Sequence, residues 1–342
     1  MNVRARIAGL GKYLPERVLT NADLEKLVDT SDSWIVERTG IRERRIAADH
    51  ETAATMGIEA GKRAIAHAGI APEEIDLVIG ATMTPDGMMP SIASLIQEGI
   101  GARRAAAFDM NAVCVGFVVA LSTASQFIAS GTYKRVLIVG SEVFSRIIDW
   151  HDRNTCLLFG DGAGAVVLEA SDRGGIGSFV LHSDGSGAQL LCAPGPCGPV
   201  GAAEPGRYFV EMDGPQIFKF AVQAMEAATR EAVAAAGMTI DDIDLLVPHQ
   251  ANLRIINATA RALRLPPERT MVNVERYGNT SSASIPIALQ EAWEQGRLKE
   301  GDRVVLVAFG GGLAWGALTL EWAPVGPLPA PREAVEISAG GN

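Results

Sequence analysis

Cysteine is scarce in this sequence, and basic residues are outnumbered by acidic ones. The four cysteines, at positions 114, 156, 192 and 197, have neither C-x-x-C spacing nor the density of a secreted disulfide scaffold, so that class is excluded. Lys and Arg number 30 against 40 Asp and Glu, a formal net charge of −10. Because binding nucleic-acid phosphates needs a basic excess, we expect no nucleic-acid partner.

Long apolar runs are lacking too. The apolar stretch near the start of the chain is interrupted by Gly9, Gly11 and Lys12, which leaves it too short for a signal peptide or a membrane span. We therefore expect a cytoplasmic protein that does not associate with membranes. One local concentration of arginine, over residues 38–45, offers either a patch for an acidic partner or a solvated charged loop.

What the chain does have is apolar residues and an internal repeat. Hydrophobic residues make up 48% of it, which favours helices covered on most faces. Residues 74–79 resemble residues 242–247, and residues 134–139 resemble residues 302–307, both at an offset of 168 positions. These short, nearly all-apolar segments are typical of strands covered on both faces. The repeat predicts two related halves.

Helical stretches precede the first strand of each half, over residues 52–68 and 222–236, the second ending before Gly237. Strand and helix therefore alternate, which predicts a layered α/β fold of two pseudo-twofold-related halves. We place the N-terminal half at residues 1–174 and the C-terminal half at residues 175–325. Residues 192–206, rich in Pro and Gly, are predicted to form a long surface loop, and residues 326–342 a disordered tail.

Three polar residues stand at strand ends or helix starts. Cys114 lies between the strand-like residues 105–110 and a long apolar helical segment, where a helix N-terminus lowers the pKa of a thiol and makes it a nucleophile. The alternative is an inert core cysteine. His249 directly follows a buried-type strand, where sites collect in α/β proteins. Asn279 precedes the apolar residues 283–292, where it is either a site residue or a helix N-cap.

The repeat offset links two of these positions. Adding it to Asn111 gives Asn279, and adding it to Cys114 gives Ser282. The two strand-to-helix junctions are therefore equivalent. We expect the pseudo-twofold packing to bring Cys114 and Asn279 to a common centre with His249.

With these residues the sequence resembles the β-ketoacyl-acyl-carrier-protein synthase III family of the thiolase superfamily, from about residue 3 to residue 322. The segments that carry the resemblance are residues 33–42, the Cys114 junction, 159–164, 248–252, 277–281 and 309–312. The resemblance implies a thiolase-like five-layered αβαβα fold. It also implies acyl transfer from acyl-CoA to Cys114, followed by decarboxylative condensation with malonyl-acyl-carrier protein. It further implies a homodimer without cofactor or metal, with the coenzyme A thioester as substrate.

The resemblance assigns roles by position. His249 and Asn279 would hold the enolate oxygen, and the backbone N–H groups of Cys114 and Gly311, supported by Phe309, would hold the thioester oxyanion. Trp34 and Arg153 would stack the adenine. The remaining implied residues are Arg38 for the phosphate; Gly214, Phe218 and Asn252 for the pantetheine tunnel; Arg254 for the carrier protein; and Met89, Leu157, Leu158 and Phe159 for the acyl pocket.

Several readings compete with condensation. An acyltransferase that moves the Cys114-bound acyl group to an alcohol or amine, without decarboxylation, is the second enzyme hypothesis. A degradative thiolase needs a second cysteine within residues 309–316, where there is none, and an elongating synthase has a second histidine where this chain has Asn279. A nucleotide-binding module is disfavoured because Gly9-Leu10-Gly11 lacks the third glycine of the dinucleotide fingerprint. The acyl primer, the pathway and the acceptor stay open.

Overall fold

The computed structural model describes residues 4–195 and 208–325. The predicted tail over residues 326–342 and most of the predicted loop over residues 192–206 lie outside this range. Cys192, the first residue of that loop, lies instead in a short strand that pairs with residues 211–212. Within the described residues, no helix combines the length and apolar character that a bilayer crossing requires.

The strands follow the chain in an order that alternates with the helices. They are β1 (Arg4–Tyr13), β2 (Val18–Thr20), β3 (Glu43–Arg45), β4 (Leu77–Ala81), β5 (Ala106–Met110), β6 (Arg135–Glu142), β7 (Gly162–Ser171), β8 (Gly175–Ser183), β9 (Leu191–Cys192), β10 (Glu211–Met212), β11 (Leu245–Pro248), β12 (Arg303–Gly310) and β13 (Ala314–Glu321).

Helices lie between and around the strands. They are α1 (Asn21–Leu24), α2 (Asp32–Thr39), α3 (Ala53–Ala68), α4 (Ile92–Ile100), α5 (Gly116–Ala129), α6 (Gly214–Ala235), α7 (Leu253–Leu263), α8 (Val274–Tyr277) and α9 (Ser284–Glu294). Short 3-10 turns, Val113–Val115 and Ser281–Ala283, immediately precede α5 and α9.

Two mixed sheets sandwich a pair of helices. The first sheet has the order β1-β7-β6-β4-β5 and the second the order β11-β12-β13-β8. Helices α5 and α9 contact strands of both sheets, α3 and α4 cover the outer face of the first sheet, and α6 covers the outer face of the second. The layers therefore run helix, sheet, helix, sheet, helix, as predicted.

The repeat recurs in the structure at the predicted offset. Strands β4 and β11 begin 168 positions apart, and β6 and β12 match at both ends. The 3-10 turns before α5 and α9 match at the same offset. The four strands β4, β6, β11 and β12 are wholly buried apart from the first residue of β6 and of β12. The division of the chain at residue 174 stays a prediction; it falls in the short connection between β7 and β8.

Two predicted elements differ from the structure. Helix α6 begins at Gly214, eight residues before the predicted start, because Asp213 caps it and Pro215 fits the first turn, where no intrahelical N–H partner is needed. It ends at Ala235, one residue before the predicted end, and Gly237 has the predicted left-handed backbone at φ +68°. Strand β5, predicted over residues 105–110, begins one residue later, at Ala106; it forms the edge of its sheet, and Phe108 is 36% exposed.

Candidate active site

Cys114 lies in the tight turn that joins β5 to α5. The side-chain amide oxygen of Asn111 accepts a hydrogen bond from Val113 N at 3.2 Å, and Val113 has φ +50°. This left-handed backbone is unusual for a β-branched residue and brings the chain sharply onto the helix axis. Cys114 follows in the 3-10 turn and is 4% exposed. The sequence predicted this position at a buried helix start.

The predicted lowering of the thiol pKa is wrong. Burial raises the pKa of Cys114 to about 12, since a thiolate loses its hydration there. One neighbouring group acts in the opposite direction: the Ser281 hydroxyl donates to Cys114 Sγ at 3.3 Å and favours the thiolate. The resting residue is therefore a thiol, and its proton has to leave as a bond to sulfur forms.

The second junction repeats the first with different side chains. The amide oxygen of Asn279 accepts from Ser281 N at 2.8 Å, and Ser281 has φ +49°. Because the oxygen is engaged, the amide nitrogen of Asn279 is the end available to a ligand. Ser282, the counterpart of Cys114, is buried and its Oγ lies 2.7 Å from Ala81 O.

His249 extends the pairing of β11, with its N–H donating to Val307 O at 2.8 Å. Its Nδ1 lies 2.6 Å from Ser284 Oγ, and this hydroxyl also accepts weakly from Gln250 N. No other acceptor is present for the Ser284 proton within the part of the chain that is described, so Ser284 donates to Nδ1 and the ring carries its proton on Nε2. Burial lowers the pKa of His249 to about 3, so the ring is neutral at physiological pH.

The end of β12 passes directly beside the thiol. A side chain at Gly310 would place its Cβ 3.0 Å from Cys114 N and 3.1 Å from Cys114 Cβ, so any residue other than glycine would have to displace the Cys114 backbone. Gly311 lies against Leu191 O, where a Cβ would stand at 2.8 Å. The glycines therefore let backbone N–H groups approach the space around the sulfur.

These residues meet around one narrow cavity of about 120 Å³. His249 Nε2 is buried and has no hydrogen-bond partner among the described residues, as expected of a group reserved for a ligand. The lining residues are Cys114, Leu158, Phe159, Leu191, Met212, Gly214, Ile217, Phe218, His249, Ala251, Asn252, Ile255, Asn279 and Phe309. Every one of the three residues predicted to share a centre is present.

A smaller apolar cavity of about 50 Å³ lies beyond the thiol. The stacked rings of Phe144 and Phe159, 4.6 Å apart, form part of its wall. The remaining lining residues are Met83, Val113, Cys114, Leu191, Cys192, Ala193 and Val210. The site therefore has an apolar compartment beside the sulfur that is separate from the entry channel.

A wide groove of about 980 Å³ leads from the surface to the narrow cavity. Arg153 lies over the ring of Trp34, with its guanidinium carbon 4.4 Å from the ring centroid, and Arg254 lies over Phe218 at 5.4 Å. The predicted residues along the groove are Trp34, Arg38, Arg153, Leu157, Leu158, Gly214, Phe218, Asn252 and Arg254. The predicted coenzyme residues are therefore contiguous with the predicted catalytic ones.

Of the residues predicted for the acyl pocket, Phe159 lines the small apolar cavity, Leu158 lines the narrow cavity and the groove, Leu157 lines only the groove, and Met89 lines none of the three. Met89 is 84% exposed. Sequence reasoning also missed Ser281 and Ser284, which contact Cys114 and His249 directly. The offset pointed to the turn that holds Ser281, but nothing in the sequence signalled Ser284. Among the described residues no group of His, Cys, Asp and Glu could hold a metal ion.

A layered fold of two related halves, with a cysteine, a histidine and an asparagine around one cavity, defines a condensing enzyme of the thiolase type. Two family models match the chain: 3-oxoacyl-[acyl-carrier-protein (ACP)] synthase III over residues 108–185, and its C-terminal part over residues 233–322. A Symbiobacterium thermophilum protein named beta-ketoacyl-[acyl-carrier-protein] synthase III is 53% identical over 322 residues, covering 92% of this chain and 97% of that protein.

Solved structures agree. The 3-oxoacyl-[acyl-carrier-protein] synthase III of Aquifex aeolicus VF5 matches with a TM-score of 0.88 and 48% identity, covering 93% of this chain and 100% of that one. The priming beta-ketosynthase from the R1128 polyketide biosynthetic pathway matches with a TM-score of 0.88 and 40% identity, covering 94% and 97%. The chain therefore belongs to the 3-oxoacyl-acyl-carrier-protein synthase III family and is a condensing acyltransferase. The predicted family and fold class are confirmed.

Proposed function

We propose that the protein joins an acyl group from acyl-CoA to a malonyl unit on acyl-carrier protein, with Cys114 as the intermediate acyl carrier. The observation that carries this proposal is the convergence of a thiol and two neutral hydrogen-bond donors, His249 Nε2 and Asn279 Nδ2, on one cavity. A thiol suits the transfer of the acyl group from acyl-CoA to the enzyme, and neutral donors suit the condensation with the malonyl unit. The product would be a β-ketoacyl-acyl-carrier protein that starts a fatty-acid or polyketide-type chain.

In the first step the sulfur of Cys114 attacks the acyl thioester. A carbon–sulfur bond forms to Cys114, the bond to the coenzyme breaks, and the thiol proton ends on the departing coenzyme sulfur. Because the pKa of the thiol is about 12, proton loss and attack have to be coupled. Backbone N–H groups of Cys114 and Gly311 are the donors we assign to the oxyanion.

In the second step the malonyl thioester loses carbon dioxide and becomes an enolate. His249 and Asn279 would donate to its oxygen, and the enolate carbon attacks the acyl group on Cys114. The carbon–sulfur bond to Cys114 then breaks, and a proton restores the thiol. A neutral histidine is suited to this role because it stabilises the oxygen without surrendering its proton first.

The groove supplies a route for the coenzyme. We assign the adenine to a position between Trp34 and Arg153, whose guanidinium carbon lies 4.4 Å from the ring centroid, so the two side chains have to move apart to admit it; we assign the phosphate to Arg38. Gly214, Phe218 and Asn252 border both the groove and the narrow cavity, where a pantetheine arm would run. No cofactor is required for this chemistry.

Carrier-protein docking needs a local positive surface, because the whole chain carries a net charge of −10. We assign it to Arg254, which lies at the mouth of the groove at the start of α7. Replacing Arg254 by Glu should raise the KM for malonyl-carrier protein while leaving acylation by acyl-CoA unchanged.

We also infer a homodimer, with Met89 reaching the partner's acyl pocket. Strand β5 is an uncovered sheet edge that exposes Phe108, and Met89 is more exposed still. Exposed apolar edges of this kind are usually covered in solution. Elution of the protein as a monomer in light scattering at assay concentration would contradict the inference.

One experiment tests the central proposal. The protein is incubated with acyl-CoA and then with malonyl-carrier protein, and intact mass and released carbon dioxide are measured. We expect an acyl adduct on the wild type and on Cys156→Ala, a buried cysteine that lines neither cavity near the thiol, and no adduct on Cys114→Ala. An adduct that passes to an alcohol or amine without carbon dioxide would favour the second enzyme hypothesis, which the relatives' names do not support.

A further inference from the structure

Glu142 is a buried carboxyl group that the proposed reaction does not use. It ends strand β6 and is 0% exposed. No cationic side chain of the described residues acts on it; the groups around it are hydroxyls and one backbone N–H. An ionised carboxylate without a cation is costly to bury. The hydrogen bonds of Glu142 should therefore reveal how that cost is avoided.

One oxygen of Glu142 only accepts. Thr82 Oγ1 lies 3.1 Å from Oε2, Thr84 Oγ1 lies 2.7 Å from it, and Met83 N lies 3.2 Å from it. Both threonine hydroxyls themselves accept backbone N–H groups, from Thr84 and Val143. Their own protons therefore point at Oε2, which receives three hydrogen bonds and has no room for a proton of its own.

The other oxygen, Oε1, contacts Ser282 Oγ, which also contacts a backbone carbonyl. These two contacts need two protons, and Ser282 supplies only one. Ser282 Oγ lies 2.7 Å from Ala81 O and 2.8 Å from Glu142 Oε1. Both distances are those of O–H···O hydrogen bonds, so each contact needs a proton. The carbonyl of Ala81 cannot donate and Ser282 has a single proton. The second proton has to be on Glu142 Oε1, and burial raises the pKa of this carboxyl in the same direction.

The carboxyl group lies close to the nucleophile. Ser282 follows Ser281, whose hydroxyl contacts Cys114, and a charge on Glu142 would raise the pKa of the Cys114 thiol. Among the described residues on the elements packed against Glu142, Cys114 is the titratable group whose pKa a charge on Glu142 raises. A carboxylate there would oppose every anion that the reaction forms.

The repeat relates Glu142 to a position in the other half of the chain. The counterpart of Glu142 at the 168-position offset is Gly310, which stands beside Cys114 as Glu142 stands beside Ser282. Each strand end therefore faces the junction of the other half. The thiol faces a strand end without a side chain, at Gly310, and the carboxyl of Glu142 faces the hydroxyl of Ser282.

We propose that Glu142 is a positioning residue held as a neutral carboxylic acid at neutral pH, which fixes Ser282 while keeping negative charge away from the Cys114 thiolate. This inference rests on the proposed function only in taking Cys114 as the nucleophile. Its test therefore measures the reactivity of Cys114 itself and needs no condensation.

The test compares Glu142→Gln, Glu142→Asp and wild type in the alkylation of Cys114 by iodoacetamide between pH 6.5 and 8, followed by peptide mass mapping. Gln is uncharged, can accept at the Oε2 position and can donate to Ser282. We expect Glu142→Gln to alkylate within about twofold of wild type at each pH. Asp is too short to keep both sets of contacts, so we expect it to be slower by about tenfold.

If Glu142 were ionised, Glu142→Gln should be alkylated faster than wild type. Removing its charge in Glu142→Gln would accelerate alkylation by about tenfold or more, since like charges no longer oppose each other. That result would overturn the proposal. Neutron diffraction from wild-type crystals provides a test that requires no variant to fold. Two deuterons are expected, one bonded to Glu142 Oε1 and directed at Ser282 Oγ, the other bonded to Ser282 Oγ and directed at Ala81 O. A single deuteron, bonded to Ser282 Oγ and directed at Glu142, would contradict the proposal.

Discussion

The two strand-to-helix junctions share a backbone and differ in chemistry. In the first, Asn111 holds the turn, Val113 has φ +50° and Cys114 presents a thiol. In the second, Asn279 holds the turn in the same way and Ser281 has φ +49°. The repeated unit is therefore the tight turn, which delivers one side chain to the centre of the molecule from each half.

The difference between the junctions shows how one turn can supply complementary groups. The first contributes a group that must lose a proton and carry an acyl chain. The second contributes hydroxyls and an amide that stay neutral and donate hydrogen bonds. Their surroundings differ in the same sense, because Gly310 faces Cys114 whereas Glu142 faces Ser282.

The largest effect is expected on the ionisation of the Cys114 thiol, which distinguishes the first junction from the second. Between pH 7 and 10 the alkylation of Cys114 by iodoacetamide should rise about tenfold per pH unit, because the thiolate is the reactive form and stays a small fraction below a pKa of about 12. The rate should therefore increase about 10³-fold over this range. Peptide mass mapping follows Cys114 separately from Cys156 and Cys192.

A plateau below pH 9 would contradict this prediction, since it would mean that the helix N-terminus outweighs burial. His249 adds no step to the profile between pH 5 and 9, because its pKa is about 3 and the ring is neutral throughout.

The next largest effect separates the two asparagines. Asn279→Ala removes a donor to the enolate and should lower condensation by about 10²–10³-fold. Acyl loading of Cys114, measured by intact mass, should change little. Asn111→Ala is the matched control at the first junction, where the side chain is exposed and only caps the turn; we expect less than a tenfold effect on condensation. Equal losses in both variants would mean that the asparagines act through the turns.

Much of the fold could be predicted because its signals are local. The apolar strands and the offset between them placed β4, β6, β11 and β12, since covered strands need continuous apolar residues. The start of α6 was missed because Gly214-Pro215 reads as a loop until the cap at Asp213 is seen. The burial of Arg44, in a run that looks like a solvated loop, depends on distant carbonyl groups at Leu19 and Leu157.

The site was predictable where residues are marked by their position in the repeat, and not where they act through tertiary contacts. Cys114 and Asn279 lie at equivalent turns, and the offset relates them. The contact of Ser284 with His249 and the burial that raises the thiol pKa arise only when separate segments pack together. Helix-terminus chemistry alone therefore gave the wrong direction for that pKa.

A smaller effect should follow from removing the hydrogen bond between Ser284 and the His249 ring. Ser284→Ala removes the hydroxyl that donates to Nδ1, so the ring proton divides between the two nitrogens. We expect condensation to fall about tenfold, with acyl loading unchanged. Ser122→Ala is the matched control, a buried serine in α5 whose hydroxyl donates to Val118 O and contacts no other polar group of the described chain. A loss of acyl loading in Ser284→Ala would show that the serine supports the cavity as a whole.

The smallest effect separates the backbone of the second junction from its side chain. Ser281→Ala and Ser281→Gly both remove the hydrogen bond to Cys114 Sγ, and each should slow Cys114 alkylation about fivefold, equivalent to about 1 kcal/mol. They should differ in stability, because glycine adopts φ +49° without strain and alanine does not. Urea unfolding should give Ser281→Gly the higher free energy of unfolding, by about 1 kcal/mol. Equal stabilities with equal losses of reactivity would mean that the turn is unstrained and that the hydroxyl alone distinguishes this junction.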